Sequence, residues 1–251
     1  ITLPQVGGLG QRKLMNAKVL VIGAGGLGSP LLLYLAAAGV GNIGIIDDDK
    51  VELSNLQRQI IHKTNKIGSY KTDSAKETIL SINPNINIMT YKERFSIFNA
   101  ENIISQYDIV ADGSDNFGTR FLANDTCFLT KKTLVSAAIL RFEGQISTYS
   151  AYKDLNCCYR CLWPKPPPKG LIASCGEAGV FGALAGAIGS VQAIEVLKEV
   201  LGIGKSLNNF LLIFDTLSSE MRKVKIKKDN NCQLCGSKPT ITSIKKHKDY
   251  S

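Results

Sequence analysis

Three glycines near the start of the chain have the spacing of a phosphate-binding loop. Gly23, Gly25 and Gly28 form the pattern Gly-x-Gly-x-x-Gly at the end of the apolar run AKVLVIGA (17–24). Between a strand and a helix, such a loop presents backbone N–H groups and a helix N-terminus to a nucleotide phosphate. Asp47 ends the next apolar run, 24 residues after Gly23, where an acid takes a ribose hydroxyl. These features fit NAD and ATP equally well.

Charged residues further along the chain favour ATP. Arg58 lies in DDDKVELSNLQRQIIH (47–62), Lys71 begins the next expected helix, and Asp115 follows a strand in DGSDN (112–116). Ligands of open α/β sheets bind at the carboxyl ends of the strands, so we expect these side chains near the glycine loop. A triphosphate requires cations, and its magnesium ion requires a carboxylate oxygen. An NAD-dependent oxidoreductase stays open as the alternative, although it does not account for these three residues together.

Four of the seven cysteines form two C-x-x-C pairs, Cys158/Cys161 and Cys232/Cys235. Two such pairs supply the four thiolates of a tetrahedral zinc site, which leaves no open position for a substrate. The odd cysteine count and the length of 251 residues argue against a disulfide framework and indicate a reducing compartment. We therefore predict a structural zinc site that joins two distant segments.

Alternating apolar strands and helices predict a doubly wound, Rossmann-like α/β fold with a mainly parallel sheet and helices on both faces. The zinc knuckles form an appendage to it. The expected strands are 17–24, 42–47, 86–91, 107–115, 133–139, 144–150, 210–215 and 221–227, and the expected helices are 29–39, 70–83, 120–132 and 178–201.

Composition and charge exclude two classes of partner. The net charge is +9, but the lysines are dispersed apart from KVKIKK (223–228) and KKHK (245–248), which have no interleaved aromatic residues and which we interpret as solvated surface. The longest apolar stretch, 178–189, is too short to span a bilayer. We expect neither a nucleic-acid partner nor a membrane partner. We expect the protein to be cytoplasmic, or stromal if an organelle encodes it.

The motifs GAGGLGSP, DDDKVELSNLQRQ, DGSDN, RFEGQIS, CYRC, SCGEAGV and CQLC occur in this order. Together they resemble the prokaryotic-type branch of the ubiquitin-activating superfamily. Within that branch the molybdopterin-synthase adenylyltransferases are most similar and the thiamine-pathway sulfur-carrier adenylyltransferases next. The resemblance extends from about Leu3 to Thr240, and SNLQRQ and the paired knuckles are not shared with dehydrogenases.

The resemblance implies an enzyme that uses ATP with Mg²⁺ to adenylate the C-terminal glycine of a small ubiquitin-like sulfur carrier, with release of pyrophosphate. A sulfur donor then opens the acyl-adenylate to give a thiocarboxylate. The carrier that it implies is the small subunit of molybdopterin synthase, with the thiamine-pathway carrier as the alternative. It also implies a homodimer, for which the small-residue helix starting near Ala178 is the candidate interface.

The matched motif positions also imply the roles of individual residues. Gly26 approaches the nucleotide, Asp47 takes the ribose, Asp115 binds magnesium with Asn116 beside it, and Cys175 forms a covalent link to the carrier in some relatives. The residues implied in catalysis are Arg58, Lys71, Asp115 and Cys175. Those implied in nucleotide binding are Gly23, Gly25, Gly26, Gly28, Asp47, Asp49, Ser54, Asn55, Leu56, Gln57, Arg58, Lys71, Asp115 and Asn116.

The remaining cysteines and histidines receive no catalytic role. Cys127 has apolar neighbours and is predicted to lie in the core, and Cys157 has the wrong spacing to Cys161 for a knuckle. His62 follows an apolar pair, and His247 lies in the charged tail. We expect one adenylation domain over 1–251, with a nucleotide-binding core at about 15–150, a zinc-knuckle and carrier-binding part at about 151–240, and a tail at 241–251.

Overall fold

The computed structural model describes residues 2–153, 155–168 and 179–247. Its centre is an eight-stranded sheet of order β3-β2-β1-β4-β5-β6-β7-β8. The strands are β1 (Lys18–Ile22), β2 (Asn42–Ile46), β3 (Asn87–Tyr91), β4 (Ile109–Asp112), β5 (Thr133–Leu140), β6 (Glu143–Tyr149), β7 (Phe210–Asp215) and β8 (Glu220–Lys225).

The strands β1 to β5 pair in parallel with one another, and β1, β2 and β4 end in register. Ile22 of β1 pairs with Ile46 of β2 and with Asp112 of β4, so these strands finish at one edge of the sheet. Their side chains are buried on both faces, as expected for strands that helices cover on each side. The alignment brings the glycine loop, Asp47 and the segment after Asp112 to the same edge.

The last four strands, β5 to β8, are antiparallel and extend the sheet on one side. β7 is half-buried along its length and β8 is exposed throughout. Four of the seven strand pairings are therefore parallel, which confirms the mainly parallel α/β fold.

Helices cover both faces of the sheet. One face carries a core built around α2 and the long helix α7, and the opposite face carries a core built around α4 and α5. The described helices are α1 (Gly7–Asn16), α2 (Gly28–Ala38), α3 (Lys71–Ile82), α4 (Ala100–Ile104), α5 (Phe117–Leu129), α6 (Tyr159–Leu162) and α7 (Gly182–Leu201), with short 3₁₀ turns at Leu53–Asn55, Thr64–Lys66 and Ile244–Lys246. No helix in the described ranges is long and apolar enough to cross a membrane.

The sequence located every strand but missed three helices, α1, α4 and α6. The α1 segment GGLGQRKLMN has three glycines, which lower its intrinsic helix propensity. The helix is held by tertiary contact, since Gly10 packs against Leu201 at the end of α7. The small-residue helix begins at Gly182 instead of near Ala178. Val180 forms a β-bridge with Arg141, and the N–H of Phe181 donates to the carbonyl oxygen of Arg141 at 3.0 Å, so the chain is still extended there.

The prediction of a solvated charged tail was wrong for His247. This side chain is buried, and its Nδ1 lies 2.7 Å from Oδ2 of Asp125 on α5. Ile241 is also buried, whereas Lys245 and Lys246 remain exposed. The segment 241–247 therefore packs on the domain. The burial of Ile241 and the contact of His247 with Asp125 stabilise this packing despite the neighbouring lysines.

Candidate active site and metal centre

A cleft of about 280 Å³ opens at the carboxyl ends of the parallel strands. It brings together nine of the predicted site residues: Gly23, Gly25, Gly26, Asp47, Asp49, Arg58, Lys71, Asp115 and Asn116. The common position follows from the strand register, since most of these residues lie on the loops after β1, β2 and β4, and Lys71, at the start of α3, returns to the same edge after the long loop from β2. The cleft therefore has a glycine loop, cations and carboxylates within one small volume.

The three glycines of the loop meet different structural requirements. Gly23 has a φ of +90° and lies against the backbone of Gly113. A Cβ at Gly28 would overlap the carbonyl oxygen of Gly23, so the protein itself requires this glycine. A Cβ at Gly25 would meet only Nε2 of Gln59, at 3.6 Å. The packing of the loop therefore does not require Gly25 to be a glycine, and the absence of a side chain there leaves space in the cleft.

Asp47 is held by two backbone groups. Its Oδ2 accepts from the N–H of Ala24 at 2.8 Å, and its Oδ1 accepts from the N–H of Asp49 at 2.9 Å. Burial raises the pKa of Asp47 above its usual value, while the charge of Lys71 and the two backbone hydrogen bonds act in the opposite direction. The carboxylate is fixed in orientation beside the glycine loop and still has lone pairs for a hydroxyl donor.

The two predicted cations have polar partners within the cleft wall. Nζ of Lys71 lies 2.7 Å from Oδ2 of Asp49, and the Lys71 side chain is 6% exposed against 66% for Asp49. Arg58 donates from Nη2 to Oδ1 of Asn55 at 2.9 Å. Asp49 is largely exposed, so solvent screens its charge, and an anionic ligand can replace it as the partner of the buried Lys71 amine.

The loop after β4 is organised by Asp112. This fully buried carboxylate accepts hydrogen bonds from the backbone and hydroxyl of Ser114, at 3.0 and 2.6 Å, and from the hydroxyl of Ser136 at 2.9 Å. Burial raises the pKa of Asp112, opposed by the charge of Arg120 and these hydrogen bonds. Asp115 is exposed at the turn, and Asn116 caps α5 by accepting from the N–H of Thr119 at 2.8 Å. Asp112 thus builds the loop, and Asp115 is left available to a ligand.

Five other predicted nucleotide ligands, all within the described part of the chain, lie outside the cleft lining: Gly28, Ser54, Asn55, Leu56 and Gln57. Asn55 supports Arg58, and the hydroxyl of Ser54 reaches only Glu52, at 3.5 Å. The carbonyl oxygen of Gln57 packs against Gly182 at the start of α7.

The cleft also contains residues that the sequence analysis missed: Asp48, Gln59, Arg94, Phe95, Ser114, Thr119 and Arg120. Thr119 and Arg120 lie on the first turn of α5, one turn after the capping residue, and this helical spacing from DGSDN was a usable signal. Arg94 follows the end of β3, which is a weaker signal because the loop has no motif.

The four paired cysteines meet in one cluster. Sγ of Cys158 lies 3.9 Å from Sγ of Cys161 and 3.5 Å from Sγ of Cys232, and Sγ of Cys161 lies 3.4 Å from Sγ of Cys235. A tetrahedral zinc ion with Zn–S bonds of about 2.3 Å requires sulfur atoms about 3.8 Å apart. The spacing and the donor set fit zinc, and the distances are too long for disulfide bonds.

The surroundings of the cysteine cluster close it off. Cys158, Cys232 and Cys235 are buried and pack with Leu234 and Ile241. Hydrogen bonds within the cluster lower the pKa of Cys232 and raise the pKa of Cys158. Arg160, between the first two ligands, forms a two-bond ion pair with Asp125 at 2.7 Å for each bond. The cluster is therefore anchored to α5.

Cys127, Cys157 and His62 do not line the cleft. Cys127 is buried in the core, as predicted, and burial raises the pKa of its thiol. Burial likewise raises the pKa of Cys157 to about 11. Cys175 lies outside the described residues. His62 is buried between the glycine loop and α3.

Comparisons with known proteins agree with this architecture. Residues 1–234 match the ThiF family. A sulfur carrier protein adenylyltransferase of Thermus thermophilus is 46% identical over 241 residues, which are 95% of this chain and 89% of that protein. The adenylyltransferase and sulfurtransferase MOCS3 of Xenopus laevis is 47% identical over 245 residues, which are 97% of this chain. The chain spans only 54% of the length of that second relative.

The fold also resembles solved structures of MccB from E. coli. The structure of MccB with AMPCPP and MccA has a TM-score of 0.80 and 22% sequence identity, and the match covers 90% of this chain and 68% of that chain. At this identity the likeness concerns the fold alone.

Proposed function

The chain belongs to the ThiF family, and we propose that it is an ATP-dependent sulfur carrier protein adenylyltransferase. The carrier's terminal carboxylate attacks the α-phosphorus of ATP, an acyl-adenylate forms, and pyrophosphate leaves. The observation that carries the proposal is the meeting of Arg58, Lys71 and Asp115 with the glycine loop in one cleft. The Thermus relative, of which this chain covers 89%, has the same named activity.

The arrangement of the cleft suits this reaction. A carboxylate and a triphosphate are both anions, so charge neutralisation and alignment supply most of the rate acceleration. Lys71 and Arg58 carry the positive charge, and Asp115 is the exposed carboxylate that we assign to magnesium, with Asn116 beside it. We assign Asp47 to the ribose. A general base is unnecessary because the attacking carboxylate is already ionised at neutral pH.

We assign the four-cysteine cluster to a structural zinc ion. Four thiolates saturate the tetrahedral coordination of zinc, so the metal has no position for substrate. Cys158 and Cys161 follow β6, whereas Cys232 and Cys235 follow β8, so the ion would join the two ends of the antiparallel extension. This role concerns stability, and the adenylation chemistry is placed in the separate cleft.

We propose the small subunit of molybdopterin synthase as the carrier, on the strength of the sequence motifs. ATP–pyrophosphate exchange tests both levels of the proposal, with the molybdopterin-synthase subunit and the thiamine-pathway carrier added one at a time. Each carrier has a matched control that lacks its C-terminal Gly-Gly. We expect exchange with the first intact carrier only. Exchange with the second alone would overturn the carrier assignment, and exchange with neither would overturn the activity.

We also propose a homodimer that uses α7. Some of its small residues are explained within the chain, since a Cβ at Gly189 would overlap Leu27 and Pro30 of the α2 region. Ala183 and Ala187 are exposed, and a Cβ at Gly186 would meet open space. Glycine in a helix costs roughly 1 kcal/mol relative to alanine, which close packing against a second chain would offset. Light scattering at micromolar concentration should give twice 27.2 kDa, and a mass near 27.2 kDa would refute the dimer.

A further inference from the structure

His62 does not line the cleft, but its ring bridges the glycine loop and α3, two elements that contribute residues to the cleft. The ring is buried, its Nε2 lies 2.9 Å from the carbonyl oxygen of Ala24, and its Nδ1 lies 2.9 Å from the hydroxyl oxygen of Ser74. Ala24 is in the glycine loop, and Ser74 is on α3. The imidazole therefore spans from the loop to the helix, with both ring nitrogens engaged.

The partners decide how the ring is protonated. A backbone carbonyl oxygen can only accept, so Nε2 carries the hydrogen and donates to Ala24. In the neutral ring Nδ1 then accepts from the hydroxyl of Ser74. Burial lowers the pKa of His62 below its usual value of 6.5. The hydrogen bond to Ala24 acts in the opposite direction, and the charge of Lys71 lowers the pKa further. The ring is thus a neutral bridge of fixed tautomer at physiological pH.

Both ends of the bridge lead directly to residues of the cleft. The N–H of Ala24 donates to Oδ2 of Asp47 at 2.8 Å, so this one residue is held by Asp47 on one side and by His62 on the other. Ala24 lies between Gly23 and Gly25, which line the cleft. Ser74 follows Lys71 by three residues on the same helix, about one turn away.

We propose that His62 is a positioning residue that sets the glycine loop at a fixed distance from Lys71, so that both can hold one nucleotide at once. A misplacement of about 1 Å far from the reacting atoms can cost on the order of 10² in rate, which makes such a bridge consequential. The effect on turnover depends on the proposed adenylyltransferase function. The effect on nucleotide affinity does not, and the two can be measured separately.

The test compares four variants of the full chain. His62→Phe keeps the buried ring but removes both hydrogen bonds, whereas His62→Gln retains a donor for the carbonyl oxygen of Ala24. Ser74→Ala removes only the bond at α3. Thr78→Val is the matched control, because Oγ1 of Thr78 lies 2.8 Å from the carbonyl oxygen of Ile61 and ties the same segment to α3 without contact to the glycine loop.

The readouts are the melting temperature, the affinity for Mg·ATP by calorimetry, and the KM for ATP against kcat in carrier-dependent exchange. We expect His62→Phe to weaken the affinity and raise KM by about tenfold, the effect of losing one well-placed interaction. Ser74→Ala should have a smaller effect of the same kind, and His62→Gln should stay within about threefold of the unaltered chain. Thr78→Val should lower the melting temperature while its affinity for Mg·ATP is unchanged.

Equal Mg·ATP affinity in His62→Phe and Thr78→Val would overturn the positioning role. If His62→Phe does not fold, an unchanged affinity in Ser74→Ala would overturn it as well. An unaltered chain that binds Mg·ATP but exchanges no pyrophosphate with any carrier would contradict the proposed function. The affinity ranking of the variants would still decide the role of His62.

Discussion

The nucleotide cleft and the four-cysteine cluster are built in opposite ways. The cleft keeps two carboxylates accessible, since Asp49 is 66% exposed and Asp115 lies at an exposed turn, whereas the Lys71 side chain is 6% exposed. The cluster buries three of its four ligands, with Cys158 1%, Cys232 4% and Cys235 7% exposed, while Cys161 is half-buried. The cleft draws its residues from loops after parallel strands, whereas the cluster joins two turns at the ends of the antiparallel strands.

The difference indicates a division between chemistry and stability. Accessible charges with weak internal partners can exchange those partners for a ligand, so the cleft can bind and release substrates. Buried thiolates that bind a structural metal ion contribute to folding and are not available to a substrate. Substitutions in the cleft should therefore change activity at constant stability, and substitutions in the cluster should change stability first.

The largest effect is expected from Asp115→Ala. Loss of this exposed carboxylate should abolish magnesium-dependent ATP–pyrophosphate exchange, because the metal loses its assigned protein ligand. The melting temperature should stay close to that of the unaltered chain, since Asp115 lies at the surface of the cleft. Glu101→Ala, which removes an exposed carboxylate on α4, is the control. Full exchange activity in Asp115→Ala would sink the proposed mechanism.

Lys71→Ala should reduce the exchange rate by on the order of 10² or more, because each charge-stabilising group in such a site contributes a few kcal/mol to the transition state. Lys76→Ala, on the same helix but outside the cleft lining, should leave the rate within about twofold. Equal rates for the two variants in a steady-state assay would show that Lys71 does not contact the reacting phosphates.

Cys232→Ser tests the proposed structural role of the four-cysteine cluster. We expect loss of one zinc ion per chain and a fall in melting temperature of about 10 °C, the shift that roughly 3 kcal/mol produces in a chain of this size. Cys127→Ala, which removes a buried thiol outside the cluster, is the control, and this variant should retain one zinc ion per chain. Metal analysis of freshly purified protein and calorimetry give both values. A zinc-free unaltered chain with the pairs disulfide-bonded would refute the metal site.

Two substitutions in the glycine loop should separate a packing role from a ligand-binding role, and they have the smallest expected effects. Gly28→Ala places a methyl group against the carbonyl oxygen of Gly23 and should destabilise the chain by about 1–3 kcal/mol. Gly25→Ala meets no close neighbour and should leave stability nearly unchanged while it weakens Mg·ATP binding. Urea unfolding and calorimetric titration measure the two effects. The reverse assignment would mean that Gly25 serves the fold and Gly28 the ligand.

Short-range spacing in the sequence determined the strand–glycine-loop–helix unit, the acid at the end of β2 and the two C-x-x-C pairs, because each depends on residues within a few turns of one another. It also determined the fold class, since alternating buried strands and helices admit few arrangements. The ends of β1, β2 and β4 then had to share an edge. The prediction that Arg58, Lys71 and Asp115 lie together followed from this shared edge, because no local sequence pattern links the three residues.

Only the tertiary structure decided which side chains meet across long stretches of chain. Arg94 lines the cleft because of a loop path that carries no motif, and α1 is held by its contact with α7. His247 lies in a run of lysines, yet it is buried against a carboxylate 122 residues away. Sequence patterns report the local preferences of the backbone, whereas such contacts depend on packing and on the desolvation of particular charges, which exist only once the chain has folded.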